Sequence, residues 1–232
     1  LAPASIRSCR AASAAAAAGW EMRRAPGPAS HPATANRYVK MHPHRLFPEH
    51  TRSIYVDGNV ELGAGLRALA GEALRAHDIA VHAHPFRDCL YVEALECAAI
   101  GHDWMWNFSR QIRRYRAEGL PPHNGLFECN VLIRRHHVPE VVRQMDAWWN
   151  EYQRGAKRDQ ISFPYVAWRF PARLNCLGPS RIRSGQGVFM LRGRHRVALG
   201  ARRFRGYANV LLPTFWIAAR RFGWKRNVVP GG

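Results

Sequence analysis

Four groups of residues in this sequence have types and spacings that can do chemistry. The first is Asp57-Gly58-Asn59, which interrupts the apolar run "SIYVDGNVEL". Asp-Gly between two apolar runs is a hairpin-turn signal. A carboxylate and an amide two residues apart at a strand end can also hold a divalent cation. The second group is "HAHPFRDCLYVEALE", with His82, His84, Arg87, Asp88, Glu93 and Glu96. His82 and His84 share one strand face, because side chains in a strand repeat every two residues. The third is "HNGLFECN", in which Glu128 and Asn130 share a face by the same rule. The fourth is "GAKRDQ", where Lys157, Arg158, Asp159 and Gln160 open a helix. Helix N-termini attract anions, and two cations beside one make a phosphate site.

Each group also has a structural reading. Asp57 to Asn59 can be only a turn, and His82 and His84 a satisfied strand pair. Asp88 and Asp159 can be helix caps, and Glu93 and Glu96 solvated or paired with arginine. Glu128 is harder to explain this way. A buried carboxylate in an apolar strand is costly unless paired, so this residue is expected to face a polar pocket.

The elements that must carry these groups alternate. A short helix ends near His42-Pro43, and a strand pair surrounds Asp57-Gly58-Asn59. Leu66, Leu69, Ala70, Ala73 and Leu74 have the spacing of an amphipathic helix. A strand is expected over 78–84, ended by Pro85, and a helix from Arg87 with Asp88 at its start. Another helix is stopped by Gly119. "LFECNVLIRRH" has strand composition. Pro139 opens a helix, and a shorter one follows over "RDQISFPYVAWRF", where Pro164 is expected to start or bend it. Alternating strands and helices define an α/β class. In such sheets active sites lie beyond the carboxyl ends of strands, where Asp57 and Asn59 fall.

Of 232 residues, 47% are apolar, with eight Trp, ten Phe and seven Tyr, enough for a core. No run of about 18 apolar residues is present to form a membrane-spanning helix. The net charge of +19 favours anionic partners. Lysine supplies only three of the 35 basic residues, and the arginine excess travels with Ala, Gly and Pro. That pattern argues against sequence-specific nucleic-acid binding. Five cysteines without C-x-x-C spacing read as reduced thiols in a cytoplasmic setting. Residues 1–35 read as a low-complexity leader, with 1–18 disordered or a loose helix. After Asp159 no acidic side chain follows. Residues 176–232 read as a basic C-terminal segment, either a weakly folded tail or a contact with a membrane surface or polyanion.

The stretch from Asn36 to Phe170 resembles the glycosyltransferase-like family first catalogued as domain of unknown function 616, whose plant members carry a turgor- and mucilage-related label. The matching words are "RYVKMHPHRLFP", "SIYVDGN", "HPFRDCLYVEA", "RRYRAEG", "NGLFECNVLIRRH" and "WWNEYQRGAKRDQISFPYVAW", in the family's order. The resemblance implies a GT-A-like nucleotide-sugar transferase sheet flanked by helices over 36–175. No counterpart of its opening strand is recognisable upstream of Gly19, so the sheet is expected without it. Arg37 and Lys40 take the place of the family's basic helix. Asp57 and Asn59 stand at its metal motif, with an amide where the usual motif has a second carboxylate. Asn124, Gly125 and Glu128 match the next strand, and Asp159 with Gln160 the acceptor-side helix.

The reaction so implied is transfer of a sugar from a nucleotide-sugar donor to a saccharide or lipid acceptor. Manganese or magnesium, bound weakly without donor, is expected at Asp57, Asn59 and His84. Arg87, Lys157 and Arg158 would add positive charge, and Glu128, Asp88 or Asp159 would be the general base. Two alternatives compete. One is a metal-dependent hydrolase using His82, His84, Asp88 and Asp57; the other is a non-catalytic anion-binding module. No G-x-S-x-G, P-loop, GxGxxG or HExxH motif is present.

Overall fold

The computed structural model describes residues 19, 21, 23, 32–184, 187–191 and 199–225. The chain falls into two compact units, 1–39 and 40–232. The part of the expected 1–35 leader over 1–18, read as disordered or a loose helix, lies outside the described residues, whereas residues 32–35 belong to a helix that begins at Pro32.

Helices α1 (Pro32–Met41) and α2 (Pro43–Leu46) precede strand β1 (Ser53–Val56). Next come β2 (Val60–Leu62), α3 (Leu66–Ala73) and β3 (Ile79–Ala83). Helices α4 (Leu90–Ala99) and α5 (Met105–Ala117) lead to β4 (Phe127–Arg134). After it run α6 (Pro139–Arg154), α7 (Asp159–Arg169), β5 (Leu174–Pro179), a 3-10 turn (Ile182–Ser184) and β6 (Phe189–Leu191). Helices α8 (Leu199–Leu211) and α9 (Pro213–Phe222) follow. The mixed α/β class is as expected.

The main sheet has strand order β1-β4-β3-β5. β4 is antiparallel to both neighbours, and β3 is parallel to β5. Side-chain alternation explains how it is buried on both faces. Ile79, Val81 and Leu132 enter the large core with α4, α5, α6, α7 and α9. Ala80, Val131 and Ile133 point into a smaller one with α3, Ile182 and Phe189.

Three expectations change. β1 and β2 do not form a hairpin: β1 pairs with β4, and β2 with β6. The Asp-Gly-Asn turn therefore moves the chain from one sheet to another. Helix α7 runs through Pro164 without starting there. The helix starts earlier, at Asp159, whose carboxylate and carbonyl are held by Lys40 and Trp148. Residues 199–225 are not a weakly folded tail, and the expected boundary at 175 falls inside β5.

Helix α8 docks by an unusual face. Asn209 is fully buried and donates to the Ala98 and Asp103 carbonyls at 2.8 Å, while its Oδ1 accepts the Met105 N–H at 2.8 Å. One amide thus satisfies groups at the end of α4 and the start of α5, where helices leave backbone partners open. Arg205 donates to the His102 carbonyl at 3.2 Å, and Arg202 to His102 Nε2 at 3.0 Å. Burial, then the Arg158 and Arg202 cations, push the His102 pKa down to about 3, so the ring stays neutral and accepts that bond. Gly101 and Gly206 let the backbones touch. A Cβ on Gly101 would stand 2.0 Å from the Arg202 carbonyl oxygen, and one on Gly206 2.4 Å from that of Ala99. Helix α9 completes the core with Phe215 and Ala219, and Phe222 stacks on Tyr91.

Candidate active site

Asp57 ends β1. Its N–H donates to the Asn130 carbonyl at 2.9 Å, and its own carbonyl accepts the Val60 N–H at 2.9 Å. This closes a turn built from backbone bonds. Gly58 is exposed, does not adopt a positive φ, and a Cβ on it would meet nothing within 4 Å. The bend therefore does not require glycine. Tyr55 lies two residues before Asp57 on the same face and donates its hydroxyl to Asp57 Oδ1 at 2.8 Å.

Beside Tyr55, Lys40 Nζ contacts Asp159 Oδ2 at 2.6 Å, and both side chains are buried. The ammonium also lies 5.0 Å from the Tyr55 ring centre and 5.5 Å from that of Trp148. Trp148 Nε1 donates to the Asp159 carbonyl at 2.9 Å. Buried Arg134, at the end of β4, donates to the Lys40 carbonyl at 2.6 Å. Burial pushes its pKa down to about 10. The start of α7, the end of α1 and β4 are thereby tied together. The buried Cys129 thiol lies within electrostatic reach of Lys40, Asp159, Arg158 and Asp57, and burial drives its pKa up.

Glu128 sits two residues from Asn130 on β4 and pairs across the sheet with His82. The pairing register jumps here, from Val81 opposite Leu132 to His82 opposite Glu128. Glu128 is buried, and its Oε1 is 2.6 Å from Arg183. Its Oε2 is buried and makes no hydrogen bond. The same holds for Asn130 Oδ1, Arg158 Nε and Gln160 Nε2. Neither His82 ring nitrogen makes a well-formed hydrogen bond, although the Gly178 backbone is close enough to act on the ring. Burial lowers the His82 pKa, so a neutral ring faces the carboxylate. Buried polar atoms without partners are uncommon in folded proteins, and these belong to the residues that the sequence singles out, although others, such as Ser53 Oγ and Arg134 Nε, lie at the opposite end of the sheet.

The remaining sequence-predicted residues divide. His84 is in this neighbourhood, and Glu93, Arg87 and Glu128 act on its charge. Its Nδ1 accepts the N–H groups of Arg87 at 3.1 Å and Phe86 at 3.3 Å. That acceptor role puts the proton on Nε2, which suits a donor and opposes a metal ligand. Arg87 holds Glu93 at 2.6 Å, and Arg158 donates to Gln160 Oε1 at 2.8 Å. Asn124 and Gly125 lie in the loop before β4, with Gly125 at φ +88. Asp88 is exposed and bonds His123 at 2.8 Å, and Cys89 stands at the N-cap of α4 in its place. Lys157 turns away from a phosphate site: its Nζ donates to the Tyr152 and Gln153 carbonyls, capping the end of α6. Glu96 accepts from Trp224 Nε1 at 3.1 Å. Arg37 belongs to the 1–39 unit and donates to Asn36 Oδ1.

Asp57 and Asn59 offer a divalent cation two oxygen-bearing side chains, one of whose oxygens already serves Tyr55. Among the described residues no three His, Cys, Asp or Glu side chains form a group that could hold a metal. The pair fits a hard cation that takes most of its oxygens from a bound ligand. It does not fit the hydrolase cluster, because Asp88 is engaged with His123.

Sequence reasoning missed Tyr55, Cys129, Arg134 and Arg183. Period-two alternation from Asp57 would have found Tyr55. Arg183 has no local signal at all.

A mixed sheet with a carboxylate-amide turn and a buried Lys-Asp pair at one end defines a glycosyltransferase-like α/β domain once the family match is added. The family model of the TOD1/MUCI70 glycosyltransferase-like domain matches residues 27–177. The chain belongs to that family. It is 30% identical over 141 residues to a protein of Arabidopsis thaliana described as "Probable hexosyltransferase MUCI70". That alignment covers 57% of this chain, which spans 24% of the relative's length. The apo crystal structure of mouse xyloside xylosyltransferase 1 aligns with a TM-score of 0.39 at 16% identity, over 66% of this chain and 54% of that one.

Proposed function

We infer that this domain transfers a sugar from a nucleotide-sugar donor to a hydroxyl acceptor. The observation that carries the reading is the bond from the Asp57 N–H to the Asn130 carbonyl. It fixes the Asp-Gly-Asn turn beside the strand segment that bears Glu128. Donor-side Asp57 and acceptor-side Glu128 so come to lie on adjoining strands at the same end of the sheet.

The residues then divide the work. Asp57 and Asn59 face the donor diphosphate, and a divalent cation shared with it would offset the charge that grows on the leaving phosphate. Arg158, whose Nε is buried without a partner, adds fixed positive charge. Glu128 Oε2 accepts the proton of the acceptor hydroxyl as its oxygen bonds to the anomeric carbon and the nucleotide diphosphate departs. Asp159 is committed to Lys40 and positions α7. Asp88 is exposed and far better explained by His123.

The relative's description as a probable hexosyltransferase makes nucleotide diphosphate hexoses the first donors to screen. A thermal-shift panel of nucleotide sugars and nucleotide diphosphates, each with and without manganese, tests the reading. A ligand at 100 times its Kd should stabilise the protein by about 2.7 kcal/mol. Stabilisation by a nucleotide diphosphate that grows with manganese is expected. Stabilisation by inorganic polyphosphate to the same degree, with no nucleotide preference, would favour an anion-binding module instead.

A further inference from the structure

Helix α8 is inside out. Its inward face carries Arg202, Arg205, Gly206 and Asn209, and these groups bond or touch the backbone between α4 and α5. Its outward face carries Phe204, Tyr207 and Leu211, spaced three and four residues apart, and these are 70%, 73% and 81% exposed. A helix packed on a core normally shows the opposite arrangement. Helix α9 adds Ile217, 67% exposed on the side away from Phe215 and Ala219, and Trp216, 48% exposed although its ring packs edge-to-face on Phe215 and its Nε1 donates to the Val210 carbonyl. Large exposed apolar groups gathered on neighbouring helices mark an interaction surface.

The charges beside these groups say which partner fits. Arg203 is one turn from Tyr207, while Arg220 and Arg221 are one turn from Trp216 and Ile217. All three arginines and Lys225 are exposed. No carboxylate side chain occurs anywhere after Asp159. Two copies meeting through this face would oppose arginine with arginine, and neither helix carries a carboxylate to offset them. An aromatic and aliphatic face edged by arginine, without acidic residues, matches the headgroup boundary of an anionic bilayer. No helix among the described residues is long and apolar enough to cross a membrane, so contact would be at the surface.

We propose that the outward faces of α8 and α9 dock this protein onto anionic membrane surfaces, with Phe204, Tyr207, Leu211, Trp216 and Ile217 entering the interface and Arg203, Arg220 and Arg221 pairing with lipid headgroups. This geometry is independent of the transfer reaction. Docking would hold the catalytic domain at a surface, where a membrane-borne acceptor is concentrated.

Vesicle co-sedimentation of the full chain tests the proposal, with phosphatidylcholine alone and with phosphatidylcholine containing phosphatidylserine. Binding is expected on the anionic vesicles only, weakening as salt rises. Two variants separate the contributions. Phe204→Ser with Tyr207→Ser and Leu211→Ser removes the apolar stripe. Arg203→Glu with Arg220→Glu and Arg221→Glu reverses the charge, and at roughly 1 kcal/mol per arginine should lower partitioning by well over tenfold. Both alter exposed side chains, so circular dichroism should show unchanged folding. The proposal is overturned if the unmutated protein binds neither vesicle, or if either folded variant binds like it. It is also overturned if light scattering finds a dimer that the serine variant dissociates, since a second copy would then cover the face.

Discussion

Replacing Glu128 by glutamine is expected to lower sugar-transfer turnover by about 10²–10⁴-fold, the range that a general base contributes. Glutamine keeps the shape of the side chain, and its oxygen can still accept from Arg183, which in the unmutated protein lies 2.6 Å from Oε1. What it removes is the basicity of Oε2, the buried oxygen that makes no hydrogen bond. Nucleotide affinity should be unchanged, because Glu128 lies on the acceptor side. Asp88→Asn is the control: that carboxylate is exposed and bonds His123, so turnover should stay as it was. Steady-state kinetics with the donor found by thermal shift distinguishes the cases. If Glu128→Gln leaves turnover intact, the base is elsewhere.

The second large effect concerns stability. Lys40→Met should destabilise the fold by about 3–5 kcal/mol, the cost of breaking a buried ion pair from one side. Both partners have side chains under 5% exposed, and their contact is 2.6 Å. Methionine fills much of the lysine volume but leaves the Asp159 carboxylate without its ammonium. It also removes the cation from the rings of Tyr55 and Trp148. Lys40→Met with Asp159→Leu should recover most of the loss, because an apolar pair of similar volume needs no compensation. Urea unfolding of the single and double variants measures the difference. Equal destabilisation in both would mean that packing, and not the charge pair, sets the cost.

The strands and helices from Asn36 to Phe170 are largely legible from periodicity and from proline and glycine punctuation. Leu66 to Ala73, Pro139 to Arg154 and Phe127 to Arg134 appear close to their expected places. Pairing is less legible. The apolar runs on either side of Asp57 look like a hairpin, yet each finds its partner far away, in β4 and β6. Nothing within that stretch records the competing strands. Helix α8 escapes for a different reason. Its contact face is built from arginine, glycine and asparagine, so the usual core-facing apolar stripe is reversed.

Site residues follow the same division. Asp57, Glu128 and Asp159 stand out as carboxylates in apolar or turn settings. Their pairing with Lys40 and Arg183 does not, because 119 residues separate Lys40 from Asp159 and Arg183 arrives from a short 3-10 turn. Lys157 shows the limit of reading charge at a helix start. The backbone carbonyls ending α6 claim its ammonium before any phosphate can.

The central claim is that Asp57-Gly58-Asn59 is a ligand site as well as a turn. Its most direct test is calorimetric titration with manganese, with and without uridine diphosphate, of the unmutated protein, Asp57→Asn and Asn59→Asp. The turn is held by backbone bonds from Asp57 to Asn130 and Val60, so all three proteins should fold. In the unmutated protein metal and nucleotide should strengthen each other by the same factor, of order 5–150-fold. Asp57→Asn should abolish that coupling by removing the one charged ligand. Asn59→Asp should tighten manganese binding without nucleotide, because it supplies a second charge. Equal nucleotide affinity with and without manganese in the unmutated protein would contradict the account and leave the segment as a connection between two sheets.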